Sequence, residues 1–358
     1  MAFPDTASLT LKDAIQSLLM EHSLSLSMIR GQGYDGASNM KGHANGLKKL
    51  IMDECPSAYY VHCFAHQLQL TLVAVAKENS DCDWFFYQLK LLLNLIGNSC
   101  KKVQMLRVEQ AQRIVEELEL DVIQSGKGQN QEMSLCRLGD TRWGSHYKTV
   151  MRVLSMYPSI RKVIKKVGTD KTQKTEYNQA QTMLTIFDSF EFVFMAHLMQ
   201  NVLGYTADLN HALQKRDQDI VNAVELIYLT KIQLQQMRED DGWDEFLKDV
   251  HSFCNKHKVK ISDMDNFYRP VGRDRRFYVK IKNMHRFHVD MFLSIIDRQL
   301  QELNNRFDEV NTDLLVCMSA FNPTNSFAAF DKTSLVKLAQ FYPNDFSRLE
   351  LDHLPRQL

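Results

Sequence analysis

No stretch of about 18 consecutive apolar residues occurs in this 358-residue chain, so no single segment is expected to span a bilayer as a helix. Proline and glycine are scarce, at 7 and 14, which leaves long stretches without residues that break helices. Neither sign of charge dominates: Lys plus Arg and Asp plus Glu each number 43, so nucleic-acid binding has to come from a local patch rather than net charge. Cysteines at positions 55, 63, 82, 100, 136, 254 and 317 show no paired spacing, and an odd, unpaired set fits a reducing compartment, cytosol or nucleus. A Gly-x-Ser-x-Gly elbow and a phosphate-cradling Gly-x-x-x-x-Gly-Lys loop are both missing, which removes two common hydrolase signatures. The opening Met1-Ala-Phe-Pro-Asp5 does not read as a signal peptide.

At 44% hydrophobic and 24% charged, the composition is globular, and the length suits two domains. Residues 1 to 80 alternate helix and strand. Leu9, Leu11, Ile15, Leu18 and Leu19 give a helix over Ser8–His22, and Leu26, Met28 and Ile29 read as a short strand. Gly31, Gly33 and Gly36 then permit a turn, Ser38–Glu54 reads as a second helix, and Ala58–His62 as a second strand leading into a helix at Cys63. From about residue 82 the strand signals vanish. Helical spacing runs through Trp84–Leu120, Tyr147–Val167, Asn178–Gln214, Asp217–Glu239, Trp243–Lys256, Val289–Val310 and Asp313–Ala320, with a polar loop at Gln124–Asn130. The expected architecture is an α/β unit over 1–80 and an all-helical insertion bundle over 81–358, the whole predominantly helical.

Chemistry concentrates in Arg30–Asn39 and Ala58–Leu68. Asp35 falls at a strand-to-helix junction, the sheet edge where ligands and metals gather, and a hard divalent cation prefers carboxylate oxygens. Capping of the helix near Ser38 is the other use of an Asp there. Cys63 and His66, three apart, share a helix face, but structural zinc takes four ligands and no second ligand pair is read nearby. Arg142 and Trp143 form a pair in a polar turn before the helix at Tyr147. Lys256, Lys258, Arg273, Arg275 and Arg276 belong to a basic run over Lys256–Arg286 that interleaves Phe267, Tyr268, Phe277 and Tyr278. Basic groups neutralise phosphates and aromatics stack on bases, which makes this run a candidate DNA-contacting loop; a solvated interhelical loop fits the same composition.

Tyr34-Asp-Gly-Ala-Ser-Asn-Met40, Cys63-Phe-Ala-His-Gln-Leu-Gln-Leu70, Thr141-Arg-Trp143 and Gln299-Leu-Gln-Glu-Leu-Asn-Asn-Arg-Phe307, in that order, resemble the hAT superfamily of cut-and-paste transposases, in particular its zinc finger MYM-type 1-like subgroup. The resemblance implies a ribonuclease H-like core interrupted by a large helical insertion, which uses two divalent metals, magnesium or manganese, to cut and rejoin DNA. Asp35 matches the second carboxylate of the Asp-Asp-Glu triad, with the implied roles of catalytic residue and metal ligand. Cys63 and His66 match a Cys-x-x-His motif whose histidine lies close to the DNA ends. Trp143 matches a tryptophan that steadies a flipped base, with Arg142 beside it. By the same resemblance, Asp35, His66 and Trp143 are expected to border one cleft.

The family's first Asp would precede the helix at Ser8, its last Glu lies in a carboxy-terminal dimerisation region, and its amino-terminal zinc finger would stand further upstream; no counterpart is found here. The expectation is a truncated sheet, no stably bound metal and no cleavage by this chain alone. The protein reads as transposase-derived and nuclear, a domesticated or truncated transposon product. It is expected to retain a DNA-binding or protein-interaction role, with protein partners unidentified, the dimerisation region missing and no membrane association. A helical interaction scaffold without a nucleic-acid role is the alternative; an active transposase would require the missing segments.

Overall fold

The computed structural model describes residues 5–42, 44–119, 134–135, 144–172, 174–213, 220–270, 280–307, 309–321, 323, 327 and 330–358. In chain order the elements begin with α1 (Ser8–Glu21), β1 (Gly31–Tyr34), α2 (Ser38–Lys41), α3 (Leu47–Glu54), β2 (Tyr59–His62) and α4 (Phe64–Glu78). They continue with α5 (Ser80–Gly97), α6 (Cys100–Glu119), α7 (Gly144–Ser155), α8 (Tyr157–Val167), α9 (Lys174–Phe187), α10 (Phe190–Leu213), α11 (Ile220–Arg238) and α12 (Asp240–His257). A π-helical stretch, His285–Leu293, runs into α13 (Ser294–Arg306), followed by α14 (Glu309–Met318), α15 (Lys332–Gln340) and α16 (Arg348–Gln357). Among the described residues the chain is thus predominantly helical, with a two-stranded parallel sheet.

The chain divides into two compact units. The first comprises Met1–Thr71, Asn210–Leu229 and Leu303–Leu358. Its sheet pairs Gly31 with Tyr59, Gln32 with Tyr60, Gly33 with Val61 and Tyr34 with His62. Leu47, Ile51, Cys55 and Ala58 are buried beneath Leu11, Ile15, Ile29, Tyr34 and Met40. Each large aliphatic side chain enclosed in this way contributes roughly 1.5–3 kcal/mol. A second cluster, Leu314, Cys317 and Leu338, packs with Tyr59, Phe341 and Tyr342, so the late helices α14 and α15 serve the early strand β2. The Tyr59 hydroxyl donates to the Phe341 carbonyl at 2.7 Å, the Tyr342 hydroxyl donates to the Arg30 carbonyl at 3.1 Å, and Arg30 pairs with Asp345.

Two local readings of the sequence need correction here. The strand expected at Leu26–Ile29 is a 3-10 turn at Leu26–Met28, and the extended backbone lies one step later, over the glycines. Leu26 and Ile29 turn their side chains into apolar surroundings, whereas the Gly31–Tyr34 main chain runs alongside β2, and pairing with β2 overrides the weak strand preference of glycine. The single helix expected over Ser38–Glu54 is two, α2 and α3. At the break the chain folds tightly on itself: a Cβ on Gly42 would lie 2.5 Å from the Ser38 carbonyl oxygen, and one on Gly46 2.4 Å from the Gly42 nitrogen.

The second unit comprises Leu72–Leu209 and Thr230–Glu302. Helical spacing there persists through breaks that the sequence marks only faintly: Asn98–Ser99 separates α5 from α6, Met156 ahead of Pro158 separates α7 from α8, and Asp188–Ser189 separates α9 from α10. Helix α10 is enclosed around much of its circumference, with Phe190, Phe192, Phe194, Met195 and Leu198 all buried. Aromatic rings dominate this core: Tyr157 stacks on Phe187 at 4.3 Å between centroids, and Phe194 meets Phe246 edge-on at 5.1 Å. Among the described residues no single helix is long and apolar enough to cross a membrane; α9 and α10 together carry that length but bend by 68° at their break.

Candidate functional site

Because β1 and β2 run parallel, their carboxyl ends finish side by side, and the residues that follow them are neighbours. The Cys63 amide donates to the Tyr34 carbonyl at 3.0 Å, carrying the pairing one step past the strand. From the interior the Tyr60 hydroxyl reaches the carbonyls of Tyr34 and Asp35, at 3.2 and 3.0 Å, and pins the turn from below. Burial, with Asp35 and Cys63 adding smaller effects, pushes the Tyr60 phenol up to about 12, so it stays a donor at neutral pH. The Asp35 carboxylate accepts from the Ala37 amide at 3.1 Å, closing an Asx turn. It does not cap α2, whose N-cap is Ala37 without a side-chain bond.

Next along the chain, Gly36 lies flat on a histidine pair. A Cβ there would come within 2.8 Å of both Cε1 and Nε2 of His62, and 3.5 Å of Cδ2 of His66. The His62 and His66 rings stand 5.2 Å apart between centroids, tilted by 38°. His62 is only 7% exposed, and its Nε2 is buried without a hydrogen-bond partner. Burial foremost, then the charges of Lys41 and His66, lower the His62 pKa to about 4; Asp35 opposes this and Arg306 adds to it. At neutral pH His62 is therefore an uncharged imidazole. Gln67 anchors the start of α4 by donating its side-chain amide to the His62 carbonyl at 3.1 Å and its backbone amide to the Cys63 carbonyl at 2.9 Å. Cys63 is a free, exposed thiol.

This edge brings Asp35, Cys63 and His66 together and adds Tyr60, His62 and Lys41, which the sequence reading passed over. The signal for His62 was there: it stands four residues before His66 and closes the strand. As a metal centre the donor set falls short. Asp35 is the carboxylate that raises the His62 pKa against burial, and among the described residues no three His, Cys, Asp or Glu side chains gather closely enough to hold an ion. Two-metal strand transfer needs shared carboxylates bridging ions about 4 Å apart, and structural zinc needs four ligands; these residues fit neither.

Of the other candidate residues, two belong to the second unit and the rest are not described. Lys256 and Lys258 belong to the second unit, exposed at the end of α12, where Lys258 takes a left-handed φ of 56° as the C-cap. Arg142, Trp143, Arg273, Arg275 and Arg276 lie outside the described residues, as does the loop at 124–130, so the expected approach of Trp143 to Asp35 and His66 is not described either. Two residues of that run are engaged within the second unit: Arg286, partly buried, pairs with Asp81, and the buried Tyr268 hydroxyl donates to Glu191 at 2.8 Å. An antiparallel bridge pairs Phe267 with Lys282 within that run, with the Lys280 ammonium 4.5 Å above the Phe267 ring.

A family model described as DUF4371: ZMYM1/FAM200, RNase-like domain, matches residues 1–46. That segment contains α1, β1, Asp35, Gly36 and α2, and it is 46 of 358 residues, so the likeness is to this first part of the chain. No solved structure matches the chain.

Proposed function

We propose that this is a transposase-derived nuclear protein of the hAT, zinc finger MYM-type 1-like kind, which contacts DNA through the end of its strand pair and cuts none as this chain stands. The observation that carries the reading is the strand edge itself, where a lone carboxylate, Asp35, stands with a buried neutral His62 and the partly exposed His66, beside a segment similar to a ribonuclease-like domain. Lys41 and Arg306 both lower the His62 pKa where Asp35 raises it, so basic groups outnumber the carboxylate among the charges that act on this ring. Such a surface suits phosphate contacts, and stacking on His66 suits an unpaired base at a DNA end. A lone carboxylate keeps magnesium or manganese largely hydrated, so the reading includes weak metal binding and no step through a metal. Unpaired cysteines are in keeping with a nuclear location.

The test is fluorescence anisotropy of the purified chain on hairpin and nicked-duplex DNA, across a salt series at neutral pH. Lys41→Ala should weaken binding uniformly across sequences and reduce the salt slope by about 1. Magnesium-dependent nicking that disappears with Asp35→Ala would show that further carboxylates complete the site, and the incomplete-nuclease reading would fall.

A further inference from the structure

A cleft of about 600 Å³ runs between α5 and α9 within the second unit. Leu91, Leu95, Met183 and Ile186 make it apolar in the middle. Uncharged polar groups stand along both rims: Asn94 and Asn98 four residues apart on α5 and just past its end, and Asn178 and Thr182 four apart on α9. None of these side chains forms a hydrogen bond with another described residue, so the rims are uncommitted. Between them lies Gln88, 5% exposed, lining the cleft with a carboxamide that also lacks a partner among the described residues. Its amide atoms are not fully enclosed and open on the cleft, where a ligand's donor and acceptor would replace water.

The lining excludes several ligand classes. Its one charged pair, Lys102 with Glu176 at 2.8 Å, is neutral as a unit, so no net charge selects a phosphate or a carboxylate. Among the described residues no aromatic ring lines the cleft to stack a nucleobase. What the rims do offer is a repeat. Residues four apart on a helix advance about 6.0 Å, and an extended peptide advances about 6.6 Å every two residues. Three carboxamides, Asn94, Asn98 and Asn178, and the Thr182 hydroxyl, all able to donate and accept, at that spacing complement the N–H and C=O groups that an extended chain presents at alternate residues. Its side chains on one face would meet the apolar middle. From Gln88 to Asn98 the cleft follows α5 for ten residues, or about 15 Å, the length of four to five extended residues.

We propose that the α5–α9 cleft binds an extended segment of a partner protein, four to five residues long, holding its main chain between the Asn94–Asn98 and Asn178–Thr182 rims and its alternate apolar side chains over Leu95 and Met183. The test pans a displayed random heptapeptide library against the whole chain, with a Gln88→Leu, Asn94→Ala, Asn98→Ala variant of matched thermal stability as the counter-selection. Enriched peptides should alternate apolar residues and bind the unaltered protein at least tenfold more tightly than the variant. They should lose at least tenfold on N-methylation of alternate backbone amides. DNA binding should be the same in both proteins, which keeps this outcome separate from the fate of the strand-edge reading. Failure of any peptide to enrich over the variant, indifference to N-methylation, or equal displacement by a single-stranded oligonucleotide overturns the proposal.

Discussion

Replacing Gln299 with methionine should make the protein more stable. Gln299 on α13 is fully buried, and neither its Nε2 nor its Oε1 finds a hydrogen-bond partner. Around it stand Leu72, Val75, Ala76, Met199, Val202 and Leu203, and the gap they leave is only about 10 Å³. One water needs at least about 10–15 Å³ and two or more polar partners, so a solvating water gains little there. A buried amide without partners costs roughly 1–3 kcal/mol. Methionine has nearly the same length and no polar group, and a swap that conserves volume costs under about 1.5 kcal/mol in repacking. The net expectation is a gain of about 1 kcal/mol, or a rise in Tm of roughly 2–4 °C for a unit of this size. Calorimetry and urea titration of the two proteins read it directly. Gln299→Glu, which buries a charge in the same spot, should lose several kcal/mol. A methionine variant less stable than the parent by about 1 kcal/mol or more would refute the reasoning, because the amide would then have a partner that it misses.

Gly36→Ala should cost about 1–3 kcal/mol and shift the His62 ring resonances, since its methyl would lie 2.8 Å from that ring; unchanged resonances would contradict the packing. Stability should also fall on acidification from about pH 6.5 to 4, because the unfolded chain binds a proton at His62 in that window and the folded chain, with its pKa near 4, does not. The contribution has a ceiling of roughly 3–4 kcal/mol. His257, lowered to about 4 chiefly by burial, acts in the same direction, so His62→Gln should flatten only part of the slope in urea titrations at the two pH values. Tyr59→Phe removes the 2.7 Å bond to the Phe341 carbonyl and should cost about 1 kcal/mol, with faster hydrogen exchange at the end of α15 as its local mark.

The elements that sequence revealed were those with strong periodicity or composition. Helix α1 was readable from Leu11 and Ile15, which face the first core, and β2 from its run of tyrosines and valine. Asp35, Cys63 and His66 were readable because short, polar or reactive residues stood between apolar runs. His62 escaped notice because a histidine closing a strand resembles any other strand residue; its isolation comes from Gly36, on a different strand's exit. The position of β1 was missed for a related reason, since Gly31 and Gly33 extend only because the β2 backbone lies alongside. Nothing local in Lys332–Gln340 announces that the following Phe341 and Tyr342 will flank Tyr59, for the helix is amphipathic whichever surface it meets.

The ties from Arg30 to Asp345 and from Tyr59 to Phe341 join residues 315 and 282 positions apart. At a synthesis rate of about 5–20 residues per second, the strand pair emerges roughly 15–60 s before the segment that covers it. Through that interval the tyrosine side of β2 faces whatever is nearby on the ribosome. Nascent chains arrested short of residue 341 should therefore recruit holding chaperones through this strand, and the burden on the cell should follow translation speed between β2 and Phe341.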